Sequence, residues 1–199
     1  MGRRSDHSRE ELEELILSEG HRLMAETGYA RFSAREVAKR IGYSIGTIYN
    51  VFDSLDALLL AINSRTFVIW AAWLRDKLAV AGEDRIAALV AGYFDFAGRN
   101  PNIWMAIYDH RPPPGDAVPD SYRNQRAALT GIVEEEIARV LPPAARGAAA
   151  ALARSLVALV HGHCLFALNG TFALLGEQEP EAAALARVRE ALAAAGARG

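Results

Sequence analysis

The sequence predicts an all-α fold, in which an N-terminal three-helix head is joined to a C-terminal helical bundle, with about nine helices in all. Apolar residues recur at helical spacing along most of the chain, alanine is abundant, and runs of β-branched residues are few, which favours helix. Hydrophobic residues make up 51% and charged residues 23% of the 199 residues, so the chain can bury a core. We expect the head over residues 1–53 and a second domain over residues 54–199.

The head is predicted from two short helices that a glycine turn separates, between residues 32 and 52. Ser33 and Glu36 have the spacing of a capping box, in which the Glu36 carboxylate reaches back to the N-cap. Gly42 ends the first helix, because glycine adopts the left-handed conformation without steric cost. Ser44 caps the second helix, whose apolar residues point inward. Two such helices, the second with a small polar outer face, match a helix-turn-helix.

A local excess of positive charge supports contact between this segment and nucleic acid. The net charge of the whole chain is −2, yet one acid, Glu36, and four basic residues lie between residues 31 and 50. The basic residues are Arg31, Arg35, Lys39 and Arg40. Basic side chains gain affinity for a phosphate backbone through counterion release. A solvated helix face would explain the charge alone, but not the charge together with the capped helix–glycine–helix pattern.

Residues 12–62 resemble the DNA-binding domain of the tetracycline-repressor-like (TetR) family of bacterial regulators. The matching residues, in chain order, are Gly28, Ser33, Val37, Ala38, Gly42, Gly46, Thr47, Ile48, Tyr49, Phe52, Leu58 and Leu59. The family usually has a lysine that contacts phosphate at the start of the fourth helix. This chain has Leu55 there, flanked by Asp53 and Asp56, so one backbone anchor is expected to be missing or supplied by another residue. Asp53 is expected to cap that helix.

The resemblance also implies which side chains contact DNA. Arg35 matches a position that can read a base edge, and arginine suits guanine because it can pair bidentately. The residues expected to contact DNA are Ser33, Arg35, Lys39, Ser44, Ile45, Gly46, Thr47, Tyr49 and Asn50. Arg3 and Arg4 precede the first helix, and either form an arm that reaches phosphates or the minor groove, or belong to a disordered tail.

Side chains of the middle helices are candidates to line a small-molecule cavity, since ligand sites in bundles often lie between helices. They are Trp70, Trp73, Phe94, Trp104, Met105, Tyr108, His163, Cys164 and Phe166. For any one of them, simple core filling is the alternative. The resemblance favours a cavity for a small, mostly apolar effector. The run from Pro101 to Trp104 and the pair His161–Gly162 also resemble a subgroup whose C-terminal domain is marked by Trp and His-Gly positions.

A partner surface is predicted on one long helix, expected from Arg146 to about Leu175, because it carries two apolar stripes and therefore needs two neighbours. The residues expected at a dimer interface are Leu152, Leu156, Leu159 and Phe166 on this helix, with Leu185 and Val188 on the last helix. Isologous dimers are the commonest oligomers, and a helix-turn-helix protein needs two copies to read two half-sites. We therefore expect a homodimer.

Several classes of function are disfavoured. The single cysteine, Cys164, excludes an intramolecular disulfide and a cysteine metal cluster. His161 and His163 are two residues apart, so on a helix they point in different directions and cannot share a metal. The sequence shows no nucleophile–base pair and no glycine-rich phosphate loop, so we expect no enzyme activity, no cofactor and no bound metal.

The sequence is expected to belong to a cytoplasmic protein that does not bind membranes. Its N-terminus has no apolar signal core. Residues 155–176 carry no Lys, Arg, Asp or Glu, and are long enough to cross a bilayer. They include His161, His163 and Asn169, which are unfavourable at a bilayer centre. A helix that is buried on two faces inside a protein explains this segment better.

These observations predict a ligand-responsive transcriptional regulator. In its simplest form it is a repressor that releases a palindromic double-stranded DNA operator when the effector binds the C-terminal domain. The effector would enter between the middle helices, tilt the helix over residues 55–78, and move the two recognition helices out of register. Two alternatives remain open: a constitutive DNA-binding protein of the same fold without an effector, and a helical enzyme or metal-binding bundle.

Overall fold

The computed structural model describes residues 7–112 and 118–197, and these residues form ten α-helices, two short 3₁₀-helices and no strand. The helices α1 to α10 are, in chain order, Arg9–Thr27, Ala34–Arg40, Ile45–Phe52, Leu55–Ala79, Arg85–Arg99, Pro101–Asp109, Asp120–Val140, Ala149–Leu168, Thr171–Leu175 and Pro180–Ala194. The 3₁₀-helices are Tyr29–Arg31 and Pro143–Ala148. The prediction of an all-α fold is therefore confirmed. The interpretation of Arg3 and Arg4 lies outside the described residues.

The chain folds into two compact units. The head unit comprises Met1–Phe67 and Asn100–Gln125, and the C-terminal unit comprises Val68–Arg99 and Arg126–Gly199. Helices α4 and α7 each begin in the head unit and end in the C-terminal unit. The division predicted at residue 53 stays a prediction.

The helices of the head unit begin at side-chain caps that the sequence indicates. At the start of α1, the Glu11 amide donates to Ser8 Oγ at 3.2 Å and the Ser8 amide donates to Glu11 Oε2 at 2.7 Å, which completes a capping box. At the start of α2, the Glu36 amide donates to Ser33 Oγ at 3.4 Å. The return bond predicted for Glu36 is wrong, because its carboxylate accepts from Arg40 Nε at 3.2 Å instead.

Packing within the head unit fixes the position of α3. Helix α1 packs against α2, α3 and α6, and α2 packs against α3. Ile16, Val37 and Ile48 are fully buried between these helices. A Cβ atom on Gly20 would lie 3.0 Å from Ile62 Cδ1, so glycine allows α1 and α4 to approach closely here. The helix-turn-helix therefore rests on the long first helix as a scaffold.

The junction between α3 and α4 differs from the prediction. Asp53 does not cap α4; it ends α3, with a left-handed φ of 61°. Ser54 is the cap, since its Oγ accepts from the Ala57 amide at 3.0 Å. A non-glycine residue in this region of φ costs backbone energy, so the turn after the recognition helix is tightly specified.

In the C-terminal unit, α5, α8 and α10 pack against one another, and α10 buries Val188 and Leu192. The single helix predicted from Arg146 to Leu175 is wrong. The chain forms a 3₁₀-helix up to Ala148, then α8, and it breaks at Gly170, where φ is +78°. Glycine reaches this φ without steric cost, so the break ends one helix and α9 begins after it.

Two apolar helical stretches are long enough to cross a membrane by length and composition, Leu55–Ala79 and Pro143–Leu168. Within the chain, 56% of the apolar stretch of the first is buried, but only 22% of that of the second. The sequence predicts that this helix needs two neighbours, its own core and something outside the chain, and the second of these stays a prediction. Helix α8 presents apolar side chains, including Phe166 and Leu168, on the surface of the single chain.

Candidate nucleic-acid interface and effector region

Helix α3 separates an apolar inner side from an exposed outer side. Ile48 and Phe52 are buried against the other helices of the head unit. Ser44 Oγ caps the helix by accepting from the Thr47 amide at 3.2 Å, and it lies 3.1 Å from Thr47 Oγ1. Tyr49 is 40% exposed and Asn50 is also exposed. Because the buried residues fix the rotation of α3, the polar and aromatic residues of its other side face away from the core.

The structure places all nine predicted DNA contacts within the helix-turn-helix or at its caps. Ser33 and Ser44 are the N-caps of α2 and α3. Arg35 and Lys39 are exposed on α2. On α3, Gly46, Tyr49 and Asn50 are exposed, while Ile45 and Thr47 are half-buried. Their roles at DNA stay predictions.

The basic residues of this segment are not equally available to a partner. Arg40 Nη1 donates to Glu26 at 2.7 Å and to Glu19 at 3.3 Å, and its Nε donates to Glu36 at 3.2 Å. These hydrogen bonds, first the one to Glu26, raise the pKa of the Arg40 guanidinium. The charge of Arg40 is therefore compensated within the head. Sequence analysis missed this network, although Glu19 and Glu26 are spaced two turns apart on α1 and so share a face.

Arg35 differs from Arg40 in this respect. It is exposed and makes no ion pair with any residue that the structure describes. Lys39 makes only a loose contact with Glu36, at 3.8 Å. Arg35 and Lys39 are therefore the better candidates on α2 for contact with nucleic acid.

The start of α4 combines an exposed leucine with a paired acid. Leu55, at the position of the lysine usual in the resembling family, is 40% exposed. Asp56 Oδ1 lies 2.9 Å from Nε2 of His110. His110 is 4% exposed, and the centre of its ring lies 6.0 Å from that of Tyr29. The contact between Asp56 and His110 joins the end of α6 to the helix that follows α3. It escaped sequence analysis because 54 residues separate its partners.

The nine residues predicted to line an effector cavity are divided between the units. Trp104, Met105 and Tyr108 belong to the head unit, where Trp104 is fully buried. The other six belong to the C-terminal unit: Trp70, Trp73, Phe94, His163, Cys164 and Phe166. The structure does not collect all nine within one unit, and their role in ligand binding stays a prediction.

An aromatic cluster lies in the C-terminal unit. The ring of Trp70 stacks on Phe96, with centroids 4.9 Å apart and planes 4° from parallel, and meets Tyr93 edge-on at 4.9 Å. Trp73 meets Phe96 at 6.2 Å. The Tyr93 hydroxyl lies 3.0 Å from His161 Nδ1, and burial lowers the pKa of that imidazole. Phe96 is absent from the predicted site, although it continues the helical spacing of Leu89 and Tyr93.

Near the end of α8, His163 and Cys164 are held by contacts within the chain. His163 Nδ1 lies 3.0 Å from the Leu159 carbonyl oxygen, and its ring lies 5.5 Å from that of Phe172. Cys164 is fully buried, and burial, with a smaller effect of Glu181, raises the pKa of its thiol to about 12. At neutral pH this thiol is protonated, so Cys164 fills space and is not a nucleophile.

Two cavities of the C-terminal unit contrast in chemistry. One of ≈ 40 Å³ is lined by aliphatic side chains of α5, α7, α8 and α10 together with Tyr93. The other, of ≈ 660 Å³, has apolar walls such as Leu192 and a charged rim. On that rim, Arg85 donates to both oxygens of the buried Glu136 at 2.6 and 2.8 Å, which lowers the pKa of the carboxyl group.

The residues predicted for the dimer interface occupy two kinds of environment. Leu156 and Val188 are buried within the same chain, where they fill the packing of α8 and α10. Leu152, Leu159 and Leu185 are half-buried, and Phe166 is 40% exposed. In residues 7–112 and 118–197, no group of three His, Cys, Asp or Glu side chains could hold a metal.

Comparison with known families assigns the chain to a class of helix-turn-helix proteins. The family described as "Bacterial regulatory proteins, tetR family" matches residues 16–62, and the family described as "Tetracyclin repressor-like, C-terminal domain" matches residues 86–195. Together these matches cover both the helix-turn-helix and most of the remaining helices. The chain belongs to the TetR family of bacterial regulators, as the sequence predicts, and this family consists of transcriptional regulators rather than enzymes.

Individual relatives agree with this assignment. The chain is 26% identical over 142 residues to HTH-type transcriptional regulator Rv1816 of Mycobacterium tuberculosis, a match that covers 69% of this chain. The chain spans about 60% of the length of that relative. Among solved structures, a protein from Rhodococcus sp. RHA1 has a TM-score of 0.74 at 20% identity, covering 97% of this chain and 98% of that one. The multidrug binding protein EbrR complexed with imidazole has a TM-score of 0.63 at 21% identity, covering 94% and 96%.

Proposed function

We propose that this protein is a homodimeric, ligand-responsive DNA-binding transcriptional regulator, and most simply a repressor. The observation that carries the proposal is the outer side of α3, with the exposed Tyr49 and Asn50 and the half-buried Thr47, in a helix-turn-helix of the TetR family. Such a helix can enter the major groove, where side chains read base edges and phosphates fix the register. The exposed Arg35 on α2 adds a donor that suits guanine. A cytoplasmic location follows as part of this proposal.

The operator is expected to be palindromic, because each chain carries one helix-turn-helix. Two copies related by a two-fold axis would read two half-sites one helical turn, or multiples of it, apart. The apolar outer side of α8 supports this assembly: only 22% of its apolar stretch is buried in one chain, and Phe166 is 40% exposed. A second copy packed on α8 and α10 would remove that surface from water.

Effector control is supported by the position of α4. This helix begins three residues after Phe52, the last residue of α3, and its far half carries Trp70 and Trp73 in the C-terminal unit. A ligand that displaces the far half would tilt the helix and change the separation of the two recognition helices. The ligand must bind the released state more tightly than the DNA-bound state, or the population does not shift. The complexes of EbrR with imidazole and with proflavin support small-molecule binding on this fold.

A constitutive DNA-binding protein is the second candidate, and one observation favours it. Trp70, Tyr93 and Phe96 pack tightly on one another, and the cavity beside Tyr93 measures ≈ 40 Å³. Small-molecule sites usually measure about 300–1,000 Å³. If the cavity never widens, the C-terminal unit serves only to hold the dimer together.

The test of DNA binding is protection of an inverted repeat in the DNA upstream of the coding region by the purified protein. The double variant Thr47→Ala/Tyr49→Ala should bind the repeat with an affinity lower by about 100-fold or more, since it removes two contacts of about 1–3 kcal/mol each. Its sedimentation should match that of the unaltered protein. The control is Thr130→Ala, an exposed threonine of α7, which should bind normally. Undiminished binding by the double variant would refute the assignment of α3.

The test of ligand response uses thermal shift followed by DNA binding. Apolar compounds that raise the melting temperature should also weaken operator binding in proportion to their occupancy, because both effects follow from preference for the released state. Compounds that stabilise the protein without weakening DNA binding would instead support the constitutive alternative.

A further inference from the structure

Two buried indole groups of the C-terminal unit, those of Trp70 and Trp73, have no hydrogen-bond acceptor within residues 7–112 and 118–197. The Nε1 atoms of Trp70 and Trp73 are inaccessible to solvent, and neither has a partner among the residues that the structure describes. Buried tryptophan N–H groups usually find an acceptor, and an exception calls for an explanation. The two residues are one helical turn apart on α4, so both donors lie on the same side of this helix.

The surroundings of the two tryptophans differ. Trp73 is half-buried, and the charged ends of Lys77 and Arg99 lie 5.1 and 5.8 Å from its ring centre. Trp70 is 3% exposed and is in edge-to-face contact with Tyr93, a residue that lines the ≈ 40 Å³ cavity. Of the two tryptophans, Trp70 is therefore the buried donor whose ring contacts a wall residue of that cavity.

The chemistry of this cavity restricts what can enter it. Its walls are formed by aliphatic residues such as Leu89, Val160 and Val188, together with Tyr93, and carry no Lys, Arg, Asp or Glu. The Tyr93 hydroxyl already contacts His161. Burying a charge among such residues is strongly unfavourable, whereas an uncharged acceptor that meets an unmatched N–H avoids most of the desolvation cost.

The polar groups of the ≈ 660 Å³ cavity give less reason to expect a bound ligand than the Trp70 indole does. Its rim carries three arginines and three acids. All three arginines pair with Glu136 or Asp84. Arg85 is bound bidentately to Glu136, and Arg189 donates to Asp84. The positive charges of the rim are thus paired within the protein, whereas the indole N–H of Trp70 has no acceptor among the residues that the structure describes.

We propose that the effector is an uncharged, mostly apolar molecule with a hydrogen-bond acceptor, and that Trp70 Nε1–H donates a hydrogen bond to this acceptor within a widened form of the cavity beside Tyr93. This inference deepens the proposed effector control and rests on it. It adds the chemical requirement that an apolar molecule of the same shape without an acceptor binds less tightly.

The experiment uses two small probes of nearly equal shape, acetophenone, which has a carbonyl acceptor, and α-methylstyrene, which has a methylene group in its place. They are titrated into ¹⁵N-labelled full-length protein, whose three tryptophans give three indole N–H signals. Acetophenone should move the Trp70 indole proton downfield in a saturable manner and should bind about 3- to 10-fold more tightly than α-methylstyrene. α-Methylstyrene should not move the Trp70 indole proton downfield.

Two matched variants locate the acceptor site. Trp70→Phe should remove the preference for acetophenone over α-methylstyrene, while Trp73→Phe, which deletes the same group one turn away, should retain it. The indole signal of Trp104 provides an internal reference in every sample. The shift in the unaltered protein is measured without any variant, so it stands even if Trp70→Phe folds poorly.

The proposal is overturned if the two probes bind equally, if neither binds, or if acetophenone binds without moving the Trp70 signal. All of these measurements are made without DNA. Failure to protect an inverted repeat would refute the proposed function in a separate assay, so the two failures can be told apart.

Discussion

Helices α3 and α8 both turn side chains away from the core, but the two outward surfaces have opposite chemistry. Helix α3 buries Ile48 and Phe52 and shows Tyr49 and Asn50, which can donate and accept hydrogen bonds. Helix α8 leaves Phe166 and other apolar side chains uncovered. Hydrogen-bonding groups suit a hydrated, charged partner such as DNA, whereas an apolar surface gains only when a partner excludes water. The contrast supports the proposals that α3 contacts nucleic acid and that α8 contacts a second copy.

Replacing Phe166 by Glu should produce the largest effect, because it introduces a charge into the proposed interface between two copies. We expect sedimentation to show a monomer at micromolar concentration. Affinity for a palindromic operator should fall by about 100-fold or more, since the two heads no longer bind as a linked pair.

The control for this change is Val80→Glu, which adds the same charge at a residue that is 84% exposed just beyond α4. It should sediment and bind as the unaltered protein does. If Phe166→Glu stays dimeric, the outer side of α8 is not the interface; association with lipid vesicles instead of self-association would point to a membrane.

The arginines of α2 offer a second, smaller test, since Arg40 pairs with acids of the head whereas Arg35 has no ion pair in the described part of the chain. Arg35→Ala should cost about 1–3 kcal/mol on the preferred operator and relax selectivity at one base position. Arg40→Ala should leave base preference unchanged and lower the melting temperature, because Glu19, Glu26 and Glu36 lose their common partner. Binding to operators substituted at each position distinguishes the two. A uniform loss for Arg35→Ala would make Arg35 a phosphate contact.

A substitution of the exposed leucine at the start of α4 should strengthen operator binding, in contrast to the substitutions above. Leu55→Lys places a cation where related proteins carry one, so we expect operator binding to tighten about 3- to 5-fold at moderate salt. The plot of log affinity against log salt concentration should steepen by about 1. An unchanged slope would show that residue 55 does not meet a phosphate.

The smallest effect expected concerns stability and pH. Burial lowers the pKa of His21 and His161 in the folded chain, and the charge of Arg65 adds to the effect at His21. The unfolded chain, in which histidine has a pKa of about 6.5, therefore binds more protons as the pH falls through that value. The free energy of unfolding should decrease between pH 7.5 and pH 5.5. His161→Gln should flatten this dependence in denaturant titrations; an increase in stability on acidification would contradict it.

Helix α3 and its N-cap could be predicted from sequence because their determinants are local. Ser44 lies three residues from the amide it caps, and Ile48 and Phe52 lie one turn apart. The break at Gly170 could not be predicted in the same way, since the apolar periodicity of α8 continues into α9 and the left-handed φ appears only in the folded chain.

The electrostatic environment of the head was less predictable, for a related reason. Arg40 meets Glu19, and Asp56 meets His110, across 21 and 54 residues of sequence. A count of charges along the sequence does not show that such residues are paired with residues far away in the chain. The ligand region is harder still to predict, because its residues come from several helices. No spacing in the sequence indicates that the described residues offer the Trp70 N–H no acceptor.

The burial of Cys164 allows local unfolding around α8 to be measured by the rate at which this thiol is labelled. The thiol is fully enclosed, its pKa is about 12, and the chain has one cysteine. At pH 8 an alkylating reagent should therefore modify the chain only during excursions that expose α8, so the labelling rate would measure how often that part of the structure opens. The same enclosure should protect the protein from peroxide and from adventitious cross-linking during purification and storage.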